Sequence, residues 1–411
     1  ALFSIAITSA SFATTFTVPS GKTPTIQSAL VAANQNGDDI IVSPGIYFEQ
    51  IDFLGKSVWL HSQLGNSITI IDGQGIAGNL VSFITAEDEN AIIEGFTLRN
   101  VPNGSAVGCQ DSSSTIIDCK IVGNSTDSGD KSGAGVWASN SNITIEGCEI
   151  KNNFANAYGG GLYFVGGSLT MSDTLVQSNE ADRGGGLYCD SGVVVGLSNC
   201  MFSLNTAYIS ISAHGGAIRI NGGSLSAVGC SFDSNLAESS CDCYDNPEVW
   251  GGAIFAQNTY VMLTNCTSTD NLATNYDNEH HGQPKVYGGS IALIDGTSGT
   301  ITNCLFSFDS VTKTGSDDTQ PHGGAVVIRS SNVTFNNTDF LGCHADRFGG
   351  AVYVMTNGNP TFTDCSFVSC TAEDGGAIFS DGIGAPFILS GHFSGNSATD
   401  KGGAIYSRNS S

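Results

Sequence analysis

Apolar residues fall at every second position in many short stretches of this chain. Asn142-Ile143-Thr144-Ile145, Ser168-Leu169-Thr170-Met171 and Asn332-Val333-Thr334-Phe335 are examples, and this period predicts half-buried strands. Gly, Asn, Ser or Asp breaks each stretch after three to five residues, as turns require. One segment has a helical period instead: Pro24 to Ala33, with Ile26, Leu30 and Ala33 on one face. It is expected to cover the first strands, which Asp39-Ile40-Ile41-Val42 begins.

The strands recur in a repeat. A small-residue block followed by an aliphatic returns ten times, from Gly133-Ala134-Gly135-Val136 to Gly402-Gly403-Ala404-Ile405, at spacings of 25 to 37 residues. Within each unit an apolar residue precedes, by three positions, an Asn or a substitute. The Asn column is Asn153, Asn179, Asn205, Asn235, Asn271 and Asn396, with Asp309, Cys343 and Cys370 in equivalent places. Cys recurs two residues before the apolar position at Cys119, Cys148, Cys200, Cys230, Cys266, Cys304 and Cys365, each preceded by Asn, Asp or Gly. A unit this small cannot bury its apolar face alone, but units stacked at ~4.8 Å can. The expected fold is all-β: a single-stranded right-handed parallel β-helix of about 12–13 coils, roughly 60 Å long, with an N-terminal capping helix. Asn is expected to form an internal amide ladder, and Cys a stack of small inward groups. Residues 14–39 are expected to be the cap and 40–411 the β-helix.

Composition narrows the class. Gly is 53 of 411 residues and Pro 9, while 40% hydrophobic residues supply a core. Fourteen Lys and Arg against 38 Asp and Glu give a net charge of −24, which excludes nucleic acid as a partner. Residues 1–13 are apolar and small and read as the remnant of a secretory signal peptide, which places the chain outside the cell. Thirteen Cys suit that compartment. Sequons at Asn103, Asn124, Asn142, Asn265, Asn332, Asn336 and Asn409 would carry glycans in a eukaryote. Ser411 falls just past a repeat block, so the chain is expected to be a fragment truncated at its C-terminus, with any membrane anchor outside it.

Two sets of residues carry a resemblance. Thr25 through Gly75, with a capping helix and Val42-x-Pro44-Gly45-x-Tyr47, resembles the opening of pectin-lyase-like β-helix proteins. The Gly-Gly-Ala-Ile-type blocks paired with Phe-x-x-Asn resemble the repeats of chlamydial polymorphic outer-membrane proteins. The second resemblance implies a surface-exposed passenger region associated with adhesion. The first admits an alternative, a polysaccharide-degrading lyase or glycoside hydrolase.

Candidate chemistry lies at one corner. After Asn205, Asn235, Asn271 and Asp309 the interval to the next block grows, giving loops 206–214, 236–250, 272–287 and 310–322 that form an insertion lobe. The residue before each block forms a column of Tyr158, Arg183, His214, Trp250, Tyr287, His322 and Phe348. Pointing outward, it would be a platform for stacking sugar rings; such stacks also stabilise β-helices. Asp277, Glu279, His280 and His281, near Cys241 and Cys243, are metal-ligand types without a closed zinc spacing. No cofactor is required, although so acidic a surface attracts calcium. Arg219 and Arg329 follow Gly blocks with no companion Asp column, so no catalytic residue is assigned. The expected role is adhesive or structural, as a stalk, matrix component or filament. Expected partners are glycans, cell-surface or matrix proteins, and other copies of the chain.

Overall fold

A computed structural model describes residues 13–34, 37–126, 132–209, 212–240, 247–277, 284–315, 320–382, 384 and 386–408, with only the backbone at 276–277 and 313–315. The chain begins its first rung earlier than the sequence suggests. Strand β1 (Thr15–Val18) pairs in parallel with β2 (Asp39–Val42), so residues 14–39 are more than a cap. Between them lies the helix α1 (Ile26–Ala32), which buries Ile26, Ala29 and Leu30. Thr25 and Ser28 form a reciprocal capping box at its start. Glu49 accepts from the first N–H groups, those of Ile26 (2.9 Å) and Gln27 (3.0 Å). At the other end Lys56 Nζ donates to the Leu30 and Ala33 carbonyls. Opposite charges thus satisfy both ends of the helix that closes the solenoid.

Among the described residues the strands form four parallel sheets of 25, 13, 10 and 3 strands, the architecture of a parallel β-helix. The first sheet takes two strands from most coils and the second takes one. One coil shows the course of the chain. Ile218–Asn221 and Ser224–Val228 lie in the first sheet, Ser231–Asp233 in the second, Leu236–Ser239 in the third and Glu248–Trp250 in the fourth. The next coil repeats it in register, with Ile218 opposite Ile254, Leu225 opposite Val261, Phe232 opposite Ser268 and Ala237 opposite Ala273.

Single left-handed residues make the corners. The residue before each Cys of the column has positive φ: Asp118 (46°), Asn199 (53°), Asn265 (53°), Asn303 (54°) and Asp364 (53°), with Gly147 and Gly229 doing the same. Asn, Asp and Gly tolerate this region best, which explains the sequence pattern. A second such corner precedes the ladder position, at Asn152, Ser178, Ser234 and Asp270. The block makes the third corner and demands glycine twice. Gly215 has φ 64°, and a Cβ there would lie 2.1 Å from the Ile218 carbonyl oxygen. At Gly216 it would lie 2.3 Å from Gly252 O of the next coil.

The buried columns follow from these corners. From Asn124 through Asn271, each ladder amide donates Nδ2–H to Oδ1 of the next at 2.9–3.0 Å. Each also donates to a carbonyl of the coil before it, as Asn205 does to Val176 O (2.9 Å). Each Oδ1 accepts the backbone N–H of the preceding ladder residue. The ladder ends on Asp309, where Oδ1 accepts from Asn271 and Oδ2 has no partner. Cys343 and Cys370 continue the column, donating S–H to Phe306 O and Phe340 O, and Asn396 follows by bonding Phe367 O.

The Cys column is buried, and every cysteine among the described residues is a free thiol. Its S–H groups do more than fill space. Those of Cys148, Cys200, Cys230, Cys266, Cys304 and Cys365 each donate to the carbonyl two residues earlier, across the left-handed corner. Thr174 and Thr338 make the same bond with a hydroxyl.

Phenylalanines stack beside the ladder: Phe202 on Phe232, then Phe306 on Phe340, Phe367 and Phe393, with ring centroids 4.7–5.5 Å apart. Ser268 interrupts them. Its hydroxyl bonds Ser290 Oγ (2.5 Å) and Asp309 Oδ1 (3.2 Å), and a small cavity opens between Phe232 and Phe306.

Candidate functional site: an aromatic seam and its open end

The described parts of the insertions contain strands. Leu236–Ser239, Leu272–Asp277 and Ser310–Gly315 lengthen the third sheet. Glu248–Trp250, Lys285–Tyr287 and Gln320–His322 return as the three-stranded sheet. Ala207, Ala213, Ala237, Val249, Ala273, Val286 and Val311 pack between them as a second core. The described part of the lobe is therefore a packed extension of the coils. Glu279, His280, His281, Cys241 and Cys243 lie outside the described residues, and Asp277 is described by its backbone alone.

The column before the glycine blocks does not stand free in solvent, which corrects the expectation of an open platform. Trp250, Tyr287, His322 and Phe348 are 2%, 4%, 3% and 7% exposed; Tyr158 and His214 are half-buried. The physical cause is the glycine corner. It folds this column against a second one, the residues directly after each block's aliphatic: Tyr163, Tyr188, Arg219, Phe255, Ala292, Val327, Tyr353 and Phe379. The two columns interlock along the outside of the barrel. Between columns, Tyr158 stacks on Tyr188 (4.6 Å), His214 on Phe255 (4.5 Å) and Phe348 on Phe379 (4.3 Å); within the first, Trp250 stacks on Tyr287 (4.0 Å). Arginines cover the seam: Arg219 lies between Tyr188 and Phe255, and Arg329 lies over Trp250.

The seam's electrostatics are those of a dry interior. Burial pushes the imidazoles of His214 and His322 down to about 3, with Arg183 and Arg347 adding to the effect. Both stay neutral near pH 7. Desolvation raises the Tyr188 phenol to about 12. Arg329 also pairs with Asp295 (2.7 Å), while Arg219 has its Nε and Nη1 enclosed without a hydrogen-bond partner. Asp38 accepts from the backbone N–H of Thr14 and Asn34, tying down the cap, and Asp39 bonds His61. Among the described residues no three His, Cys, Asp or Glu side chains are grouped to hold a metal ion.

The same seam opens toward the N-terminus. Strand pairing puts Val81, Val107, Val136 and Leu162 in one register. The residues before the corners are then Ala77, Asn103 and Ser132, and those after the aliphatics are Ser82, Gly108 and Trp137. Small and polar groups thus replace the rings that fill the seam further on. The result is a groove of about 540 Å³ lined by Trp137, Tyr163, Asn79, Gln110, Ser105 and Ser132, among others. Trp137 and Tyr163 are register partners on adjacent strands and are half-buried. Both were overlooked in the sequence, although reading one position past each aliphatic would have found them.

The sequons divide by exposure. Asn142, Asn265 and Asn332 are exposed, and Asn103 and Asn336 are half-buried. Asn124 is 1% exposed and its amide is spent on Leu98 O and Asn153 Oδ1, so it cannot accept a glycan in the folded chain.

Comparison with known proteins agrees with the repeat. Residues 391–408 match the model of the Chlamydia polymorphic membrane protein (Chlamydia_PMP) repeat. An alignment over 188 residues, covering 40% of the chain, is 26% identical to metabotropic glutamate receptor-like protein R of Dictyostelium discoideum. The chain spans 10% of that relative's length. Among solved structures, a pectin methylesterase in complex with hexasaccharide VII is 12% identical, with a TM-score of 0.28 over 75% of this chain and 93% of the other. The Agl-KA catalytic domain is 14% identical, with a TM-score of 0.32 over 90% and 64%. The chain is a parallel β-helix that carries a repeat of the polymorphic membrane protein type.

Proposed function

We propose that this chain is a secreted or cell-surface β-helix whose role is adhesive or structural. The observation that carries this reading is the matched repeat at 391–408, whose Gly-Gly-Ala-Ile block recurs ten times in variant form, with Phe-x-x-Asn or a substitute for it between blocks. The side chains those marks specify are spent on the scaffold: amide ladder, thiol-capped corners and interlocked rings. Such a solenoid presents a long outer surface on a rigid body. Its net charge of −24 keeps copies soluble and favours partners that are neutral or basic.

Two measurements test it. Surface biotinylation of the intact cells that make the protein should label it, and beads coated with it should be retained on a cell or matrix surface. Labelling only after lysis would overturn the location. New chain ends released from a polysaccharide, abolished by substitution of a single carboxylate, would overturn the non-catalytic role.

A further inference from the structure

The open end of the seam has the makings of a ligand site. Along most of the molecule each ring in the outer columns is covered by another ring or by an arginine. At Trp137 that cover is withdrawn, and at Tyr163 it is kept only on the side away from the groove, because Asn103 and Ser132 stand where Trp250 and Tyr287 stand later. The two residues are partners on consecutive rungs of one sheet, so their backbones are spaced by the strand separation of ~4.8 Å. Tyr163 is held from behind by stacking on Tyr188 (5.4 Å) and Tyr158 (6.4 Å), so it is fixed before any ligand arrives.

The described residues of the opposite wall are polar and uncharged. Gly108 makes room for the Asn79 amide: a Cβ there would lie 1.9 Å from Asn79 Nδ2. Gly104 likewise lets its coil press on Gly78, since a Cβ there would lie 2.0 Å from Gly78 O. With Gln110, Ser105 and Ser132, this wall offers amides and hydroxyls that both donate and accept. Among the described residues no Lys, Arg, Asp or Glu lines the groove.

We propose that this groove binds a neutral oligosaccharide, with pyranose faces on Trp137 and Tyr163 and ring hydroxyls on Asn79 and Gln110. Aromatic faces match the C–H face of a sugar, and paired amides match vicinal hydroxyls. An acidic sugar would approach against the net charge of −24 and meet no cation among the described lining residues. The proposal deepens the surface-protein reading by naming a ligand class, and a purified-protein assay separates the two. If the protein is on the cell surface but binds no sugar, only the groove assignment falls.

The test is titration of the intact protein with neutral β-linked and α-linked gluco-, xylo- and chito-oligosaccharides and with oligogalacturonate, read by tryptophan fluorescence and calorimetry. A neutral series should bind, and oligogalacturonate should bind at least tenfold more weakly. Trp137→Ala should weaken the neutral ligand tenfold or more, and Trp137→Phe less. Gln110→Ala, at an exposed position, should weaken it several-fold with an unchanged melting curve. No neutral binding at millimolar sugar, a preference for the acidic series, binding that survives both Trp137→Ala and Gln110→Ala, or saturation of the groove by a peptide in place of sugar would each overturn the proposal.

Discussion

Asp309 offers the sharpest test of how the interior is held together. It is fully buried where the ladder elsewhere carries an amide, and Oδ2 has no partner. Its neighbours show what Oδ2 should face. Asn235 and Asn271 donate to the carbonyls of Phe202 and Phe232, and Cys343 and Cys370 to those of Phe306 and Phe340. Each acceptor lies three residues before the previous ladder position, so for Asp309 it is the Ser268 carbonyl. A carboxylate oxygen cannot donate to it, whereas a carboxylic acid can. Burial accordingly raises Asp309 from 3.8 to about 7. The folded chain keeps this proton while the unfolded chain releases it near pH 4. The contribution of Asp309 to stability is therefore complete below about pH 4 and falls as pH rises toward 7, by ~1.4 kcal/mol per unit, or about 4 kcal/mol across the interval. Asp309→Asn supplies the missing N–H and removes the titration. Urea unfolding of both proteins at several pH values is the assay. The difference between the two is the quantity to follow, because the acid sensitivity of His214 and His322 is common to both. The variant should gain on the parent by a few kcal/mol between pH 4 and 8. Parallel profiles, or a gap that widens toward acid, would refute the reasoning.

Other consequences are open to measurement. Phe340→Ala should destabilise the C-terminal coils by about 3–5 kcal/mol, because its ring is gripped by Phe306 and Phe367, and proteolysis should then start there. Trp250→Ala should cost a similar amount while leaving sugar affinity at the Trp137 groove unchanged; a parallel loss of affinity would show that the two ends of the seam act together. With Cys241 and Cys243 replaced by Ser, the native protein should resist aromatic disulfide reagents at pH 8, since burial pushes thiols such as Cys109 and Cys119 up to about 12. Rapid stoichiometric labelling without denaturant would contradict the buried column. Below about pH 6 the Asp309→Asn protein should lose stability, because neutral His214 and His322, held down to about 3, must accept protons on unfolding.

Much of the fold was legible because stacking turns a periodic sequence into columns. The spacing of Asn205, Asn235 and Asn271 alone implies that they lie above one another, and the Asn or Asp before each Cys announces a left-handed corner. The outer face was less legible. Sequence shows that Trp250, Tyr287 and His322 form a column, but whether it meets Phe255 and Tyr353 depends on the angle at Gly251 and Gly288. That angle buries four rings expected to be free and leaves Trp137 and Tyr163 partly open. The return strands of the lobe were missed for a different reason. Glu248–Trp250 and Lys285–Tyr287 are three residues long, too short for an alternating pattern to register.

Parallel coils have a mechanical consequence. The hydrogen bonds between rungs point along the long axis, so a pull on the two ends loads them one rung at a time. Tension should peel coils singly, from whichever end is held less firmly. A coil from Val326 to Val352 holds 26 residues and occupies ~4.8 Å of the axis, but drawn straight it spans roughly 90 Å. The 36- and 37-residue coils that carry the insertions would release about 125 Å each. Anchored at one end and gripped at the other, such a rod would behave as a stepwise extensible tether, giving its longest steps from the middle of the molecule.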